Sequence, residues 1–220
     1  MRKIITTTFI TLDGVLQAPG GPEEDPTNGF NRGGWSVHYW DELMGNTMNE
    51  FMTRSFDLLL GRRTYEIFAA HWPYITGDPV SEQFNRTRKY VVSHKPLKLT
   101  WQNSTLITGD VSAGLKKLKE QVGNELWVHG SGNLIQTLLA DNLIDLFYIW
   151  TFPMIVGRGK RLFAEGVKPQ GLKLVDSKTS ATGVIITAYE PAGDLITGSF
   201  ALENPTEAEL ARRKRLAEEK

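Results

Sequence analysis

Apolar residues in this chain cluster in short blocks at 3–11, 57–60, 89–93, 105–108, 125–129 and 143–152. Apart from the leucine run at 57–60 these blocks are rich in β-branched and aromatic residues, they carry no helical stripe, and several stop at Gly or Pro. That pattern predicts strands covered on both faces. Between the blocks the spacing becomes helical. Trp40, Leu43, Met44, Thr47, Met48 and Phe51 form a stripe within 35–54, and Leu134, Ile135, Leu138 and Leu139 form another. A third, Leu115, Leu118 and Val122, follows Asp110, which is placed to cap it. A helix after Thr64 runs to about His71, where Trp72-Pro73 ends it, and 73–87 reads as loop with a short helix. Alternating strands and helices predict an α/β fold with a parallel sheet between helical layers.

After Leu143 the pattern changes. Segments 172–177, 184–190 and 195–202 read as strands joined by tight turns such as Pro191-Ala192-Gly193-Asp194, which predicts antiparallel strands added to one sheet edge. The tail opens a helix at Asn204-Pro205-Thr206-Glu207. Its remainder, 212–220, is mostly charged, predicting a solvated or partner-bound helix. One polar stretch resists this scheme: 17–34 is crowded with Gly, Pro, Asn and acidic residues and is too long for an ordinary connection, which leaves a functional lid or disorder open.

Two strand-to-helix junctions carry chemistry. Asp57-Leu58-Leu59-Leu60 stops at Gly61 and continues as Arg62-Arg63-Thr64, so a helix begins where a strand ends. Its first-turn N–H groups, the positive end of its dipole and two arginines suit a phosphate. Glu125–His129 meets Gly130-Ser131-Gly132-Asn133 in the same way. A glycine junction alone is common in any α/β protein; two together suit a dinucleotide.

Composition removes other classes. The 25 Lys and Arg balance 25 Asp and Glu, and no segment interleaves basic and aromatic residues, so nucleic acid is set aside. Without cysteine there are no disulfides or thiolate metal sites, and His38, His71, His94 and His129 lack metal-motif spacing and read as packing or surface residues. No run of apolar residues is long enough for a membrane span or signal peptide, so a cytoplasmic protein is expected. Gly130-Ser131-Gly132 is not a nucleophile elbow, and no P-loop lysine is present.

Taken together, Thr11-Leu12-Asp13-Gly14-Val15, Leu60-Gly61-Arg62-Arg63-Thr64-Tyr65-Glu66, Gly130-Ser131-Gly132 and the run from Phe152-Pro153 through Val156-Gly157-Arg158-Gly159-Lys160-Arg161-Leu162-Phe163 resemble the dihydrofolate reductase-like superfamily. The branch is that of the C-terminal reductase domain of bacterial riboflavin biosynthesis enzymes. The resemblance covers about residues 3–190; it implies one reductase domain over 1–190, with 191–220 a strand and helix extension of it. It further implies a three-layer α/β/α sandwich, a mixed, mostly parallel sheet with antiparallel C-terminal strands, bound NADPH, a pterin-like or pyrimidine-like substrate and a homodimer.

By the same resemblance, Gly61, Arg62, Arg63 and Thr64 meet the adenosine-side phosphates, and Gly130, Ser131, Gly132 and Asn133 approach the pyrophosphate. Ser93 and Lys95 face the adenine ribose and its 2′-phosphate, while Asp13 and Gly14 flank the nicotinamide, Asp13 there as a candidate catalytic residue. The superfamily's acid, early in the first long helix, has only Asp41 and Glu42 as counterparts here, in a context that does not match. Burial of Asp41 would raise its pKa and make it an acid; a helix-capping Asp41 is the alternative. Trp35, Tyr39, Trp40 and Trp72 are candidates to line a cleft or to pack the core. Two functions therefore stand open: an NADPH-dependent reductase, and a dinucleotide-binding protein on the same fold that no longer catalyses.

Overall fold

The computed structural model describes residues 1–219; the last residue of the charged tail, Lys220, lies outside them. The expected strands form one eight-stranded sheet in the order β4-β3-β2-β5-β1-β6-β8-β7. These are β1 (Ile4–Thr11), β2 (Phe56–Gly61), β3 (Lys89–Val92), β4 (Ser104–Ile107), β5 (Glu125–His129), β6 (Leu146–Phe152), β7 (Leu172–Thr179) and β8 (Ile185–Pro191). Strands β1 to β6 are mutually parallel. Strand β8 runs antiparallel to β6, and β7 antiparallel to β8.

Six α-helices accompany the sheet among the described residues: α1 (Glu42–Met52), α2 (Arg62–Ala69), α3 (Pro79–Arg86), α4 (Val111–Glu120), α5 (Gly132–Ala140) and α6 (Glu207–Glu218). Strand alternation sends neighbouring side chains to opposite faces. Ile5, Leu58, Leu60, Trp127 and Trp150 pack against Met44, Phe51, Tyr65 and Phe84 of α1, α2 and α3. Ile4, Leu59, Leu126, Val128 and Phe147 pack against Val111 and Leu115 of α4 and Leu134, Ile135 and Leu138 of α5. Two cores, one per face, make the three-layer sandwich.

Four expectations are corrected. Segment 195–202 is not a strand: it is irregular and exposed, and it pairs with no strand among the described residues. Val122 lies past the end of α4 and is fully exposed, so it is no part of that helix's stripe. Helix α1 starts only at Glu42, after a 3-10 turn at Val37–Tyr39. The tail helix is capped by Thr206, whose side chain accepts from the Glu209 N–H, rather than opening at Asn204.

Candidate functional site

Because β1 to β6 are parallel, their carboxyl ends share one edge. Read in sheet order, that edge presents Ile107, Ser93, Gly61, Gly130, Thr11 and Phe152 at or just past the strand ends. Ligands of open α/β sheets bind beyond such an edge, where strand order reverses. Here the order reverses at β5, which returns between β2 and β1.

The two glycine junctions are neighbours there and are physically joined. The Gly61 N–H donates to Ser131 Oγ over 3.0 Å. Gly130 (φ 59°) and Ser131 (φ 65°) are both left-handed, a conformation that costs a non-glycine residue about 1 kcal/mol. That backbone turn lets α5 begin at Gly132 immediately after β5. The first turns of α2 and α5 therefore open side by side, each with N–H groups that no intrahelical carbonyl accepts. A Cβ added at Gly130 would meet nothing within 4 Å, so this turn faces open space. Adjacent helix N-termini with open backbone suit a pyrophosphate, and the residues present fit that group.

Around this centre the remaining expected residues take definite places. Arg62 pairs with Glu66 one turn along α2, at 2.7 Å, and Arg63 donates to Thr27 Oγ1 at 3.3 Å. Thr64 lies in the first turn of α2 and Asn133 in that of α5. Ser93 is buried; its hydroxyl donates to the Lys95 carbonyl at 2.7 Å and accepts from the Lys95 N–H, closing the turn that holds Lys95 at the surface. Since β3 neighbours β2, that turn stands beside the start of α2.

Asp13 and Gly14 form a turn after β1 that is tied to the 154–162 segment. Asp13 accepts from Thr11 Oγ1 at 2.6 Å and from the N–H groups of Gly157 and Val156 at 2.9 and 3.3 Å. Burial pushes the Asp13 carboxyl up, but these hydrogen bonds outweigh it and hold the group below the ordinary carboxylate range. Its hydrogen bonds organise the turn. Gly159 must be glycine because a Cβ would come within 2.5 Å of Val15 Cγ1, where this segment crosses the β1 turn.

Asp41 also departs from the expectation of a raised pKa. It caps α1 by accepting from the Met44 N–H at 3.0 Å, while its other oxygen accepts from Ala181 N–H at 2.9 Å. The Met44 bond leads the causes that hold its carboxyl below the ordinary range. Asp41 thus caps α1, the alternative reading of it, and pins the 180–183 turn to that helix.

Stretch 17–34 is ordered. Buried Gln17 is its organiser: its side-chain amide donates to the carbonyls of Asp25 (2.8 Å) and Thr27 (3.0 Å), and its side-chain oxygen accepts from the Lys160 N–H. Lys160 in turn pairs with Asp25 and donates to Thr27 Oγ1 at 2.9 Å. Through Thr27 and Arg63 the stretch reaches the start of α2, so it spans the edge from β1 to the first glycine junction. Polar composition hid this, because its anchors are single residues with partners far along the chain.

His129, expected as a packing or surface residue, is a packing one. It ends β5, paired in register with Thr7 of β1. Both side chains point to the face covered by α1, α2 and α3, and His129 Nε2 and Thr7 Oγ1 have no hydrogen-bond partner among the described residues. Phe84 (5.0 Å between ring centres), Trp127 and Phe56 surround the imidazole, and burial lowers its pKa to about 3. A histidine at the foot of a glycine turn was the available signal. Of the aromatics, Trp35 and Tyr39 set their edges against Phe152, Trp40 stacks on Trp150, and Trp72 packs on Phe68 and Phe84. Among the described residues no cluster of His, Asp and Glu could hold a metal ion, and no helix is long and apolar enough to cross a membrane.

Comparison with known proteins agrees with this architecture. The chain is 27% identical over 193 residues to protein YyaP of Bacillus subtilis (strain 168), a match that spans 86% of this chain and 94% of the relative. A pyrimidine reductase-like protein from Corynebacterium diphtheriae superposes with a TM-score of 0.59 at 10% identity, covering 88% of this chain and 93% of its own. Dihydrofolate reductase from Enterococcus faecalis, solved with NADP(H), superposes with a TM-score of 0.56 at 11% identity, covering 86% and 96%. At these identities the superpositions speak for the dihydrofolate reductase-like fold. The family model described as the RibD C-terminal domain matches residues 2–186, and the chain accordingly belongs to that family of reductase-like proteins.

Proposed function

We propose that this protein is an NADPH-dependent reductase that delivers a hydride to a small pterin-like or pyrimidine-like heterocycle. The observation that carries the reading is the joining of two helix N-termini by the Gly61–Ser131 hydrogen bond, which sets two phosphate-binding turns side by side. Relatives on this fold point the same way: one is described as pyrimidine reductase-like, another was solved with NADP(H). NADPH, when bound, supplies the hydride. The backbone of Gly61 to Thr64 and Gly130 to Asn133 holds the pyrophosphate. Arg62, Arg63 and Lys95 meet the 2′-phosphate, with Ser93 shaping the turn that presents Lys95. The Asp13-Gly14 turn and the ordered 17–34 stretch bound the reacting end and exclude water from it. Neither Asp13 nor Asp41 serves as the acid. A cytoplasmic location and pairing into homodimers belong to the same proposal.

Titration of NADPH and NADH into the protein and its variants tests this. A charge-assisted hydrogen bond contributes about 1.5 to 3 kcal/mol, so Arg62→Ala or Arg63→Ala weakens NADPH on the order of ten- to a hundredfold. Lys95→Ala weakens it less, and NADH is unaffected by all three. Equal weakening of both cofactors would assign these residues to the pyrophosphate or the fold instead. Turnover is then followed as loss of NADPH absorbance across pterins, dihydropterins and aminopyrimidine ribosides. Tight NADPH binding without turnover on any of them would favour a non-catalytic dinucleotide-binding protein.

A further inference from the structure

Strands β3 and β4 are parallel neighbours, yet residues 93–103 join them without a helix, alone among the links from β1 to β6. Parallel strands need a crossover, and it is usually helical. Here it is a strap without regular structure that returns across the face of α1, α2 and α3, with Leu97 and Leu99 half-buried and Trp101 buried in that core. Its start carries Lys95 on the Ser93 turn. From Pro96 to Leu99 the strap makes no hydrogen bond among the described residues, so its polar anchors lie at the far end.

Two side chains hold that end. Tyr65 is buried in α2, directly after Thr64, and its hydroxyl accepts from the Thr100 and Trp101 N–H groups, each at 2.9 Å. Lys89, fully buried at the start of β3, donates to the carbonyls of Asn85 (3.1 Å), Thr87 (2.8 Å) and Gln102 (3.2 Å), and its ammonium lies 4.2 Å from the centre of the Trp101 ring. An ammonium has three hydrogens, and all three are used. The partners are carbonyls and a ring, with no carboxylate, and burial pulls the Lys89 pKa down to about 8. A buried cation without an acid is costly. What this one gains is a knot: Asn85 and Thr87 end α3, Gln102 belongs to the strap, and the Lys89 N–H also donates to the Asn103 carbonyl at 2.8 Å. Trp101 closes it by donating its Nε1–H to Asn85 Oδ1 at 2.7 Å.

We propose that Lys89 is a positioning residue for the 2′-phosphate: with Tyr65 it fixes the far end of the strap, and the tethered strap holds Lys95 at the spacing from the start of α2 that a 2′-phosphate needs. Without the knot, Lys95 is held from the β3 side alone, through Ser93. This rests on the NADPH reading above and adds what sets the geometry of its 2′-phosphate site.

Dissociation constants for NADPH and NADH are measured on the full chain and on Lys89→Met, Tyr65→Phe, Lys95→Ala, and each of the first two combined with Lys95→Ala, with circular dichroism reporting the fold. Lys89→Met keeps the length of the side chain but leaves the Thr87 and Gln102 carbonyls without a donor. The tethered strap predicts that Lys89→Met and Tyr65→Phe each lower the preference for NADPH over NADH several-fold, at most as far as Lys95→Ala does, with NADH affinity kept. In the double variants the preference equals that of Lys95→Ala alone, because residues that act through one another are not additive. Should Lys89→Met fail to fold, Tyr65→Phe and its double variant decide. Parent-like preference in the folded variants would overturn the proposal, as would equal weakening of both cofactors or additive losses in the double variants. A full chain that does not prefer NADPH would overturn the cofactor reading itself, whereas a preference lost in Lys95→Ala and kept in the other two would overturn the strap alone.

Discussion

His129 keeps an imidazole nitrogen unpaired among Phe56, Phe84 and Trp127, beside the equally unpaired Thr7 hydroxyl. Burying a polar atom without a partner costs about 1–3 kcal/mol. His129→Leu therefore raises stability at neutral pH by about 1 kcal/mol, read as a higher denaturant midpoint. The pH dependence follows from the lowered pKa. Folded His129 titrates at about 3, whereas the unfolded residue titrates near its ordinary value of about 6.5. Between those values the unfolded chain binds the extra proton, so stability falls as pH drops below about 6.5. In His129→Leu the slope over this range is shallower by one proton; an unchanged slope would mean that His129 does not titrate on unfolding. Residue identity told little of this in advance, because burial comes from aromatic side chains on β2, β5 and α3. The same holds for Asp41, whose position before a helix was legible but whose second partner, Ala181, lies in a distant turn.

At the scale of elements, the blocks of Ile, Leu and Val marked the central strands well, because a strand buried on both faces has no polar side to confuse the reading. Segment 195–202 shows the limit: an apolar run becomes a strand only where it pairs along a neighbouring edge, and this one pairs with none among the described residues. The glycine junctions at Gly61 and Gly130 were legible from local sequence. Their union through Ser131 was not, since it needs β5 to insert beside β2. The 17–34 stretch was the least legible, because three long-range residues hold it. Lys160→Met removes the pair with Asp25 and the bond to Thr27 while leaving the backbone link to Gln17. Limited proteolysis is expected to cut 17–34 of this variant several-fold faster, with NADPH bound more weakly because Thr27 no longer steadies Arg63. If cleavage stays at the parent rate, Gln17 alone holds the stretch.

Across the whole molecule, the two ends of the sheet do different work. The carboxyl edge is built of turns, left-handed residues and exposed helix starts. The amino edge is built of buried charge. Arg2 is 4% exposed; it pairs with Asp57, donates to the Asn124 carbonyl at 2.6 Å and lies 5.2 Å from the centre of the Tyr90 ring. Nearby, Lys119 pairs with Asp145, which also accepts from the Ile4 N–H at 2.7 Å. These groups fasten the starts of β1, β2 and β5, a strand length or roughly 20 Å from the glycine turns. Arg2→Met leaves Asp57 buried without its cation, and breaking one side of a buried pair costs about 3–5 kcal/mol. Well-separated sites act independently, so the variant loses that much stability, measured by urea unfolding, while its NADPH dissociation constant at low temperature stays that of the parent. A parallel loss of cofactor affinity would show that the amino edge sets the spacing of the strands at the site, and that the two edges are mechanically one.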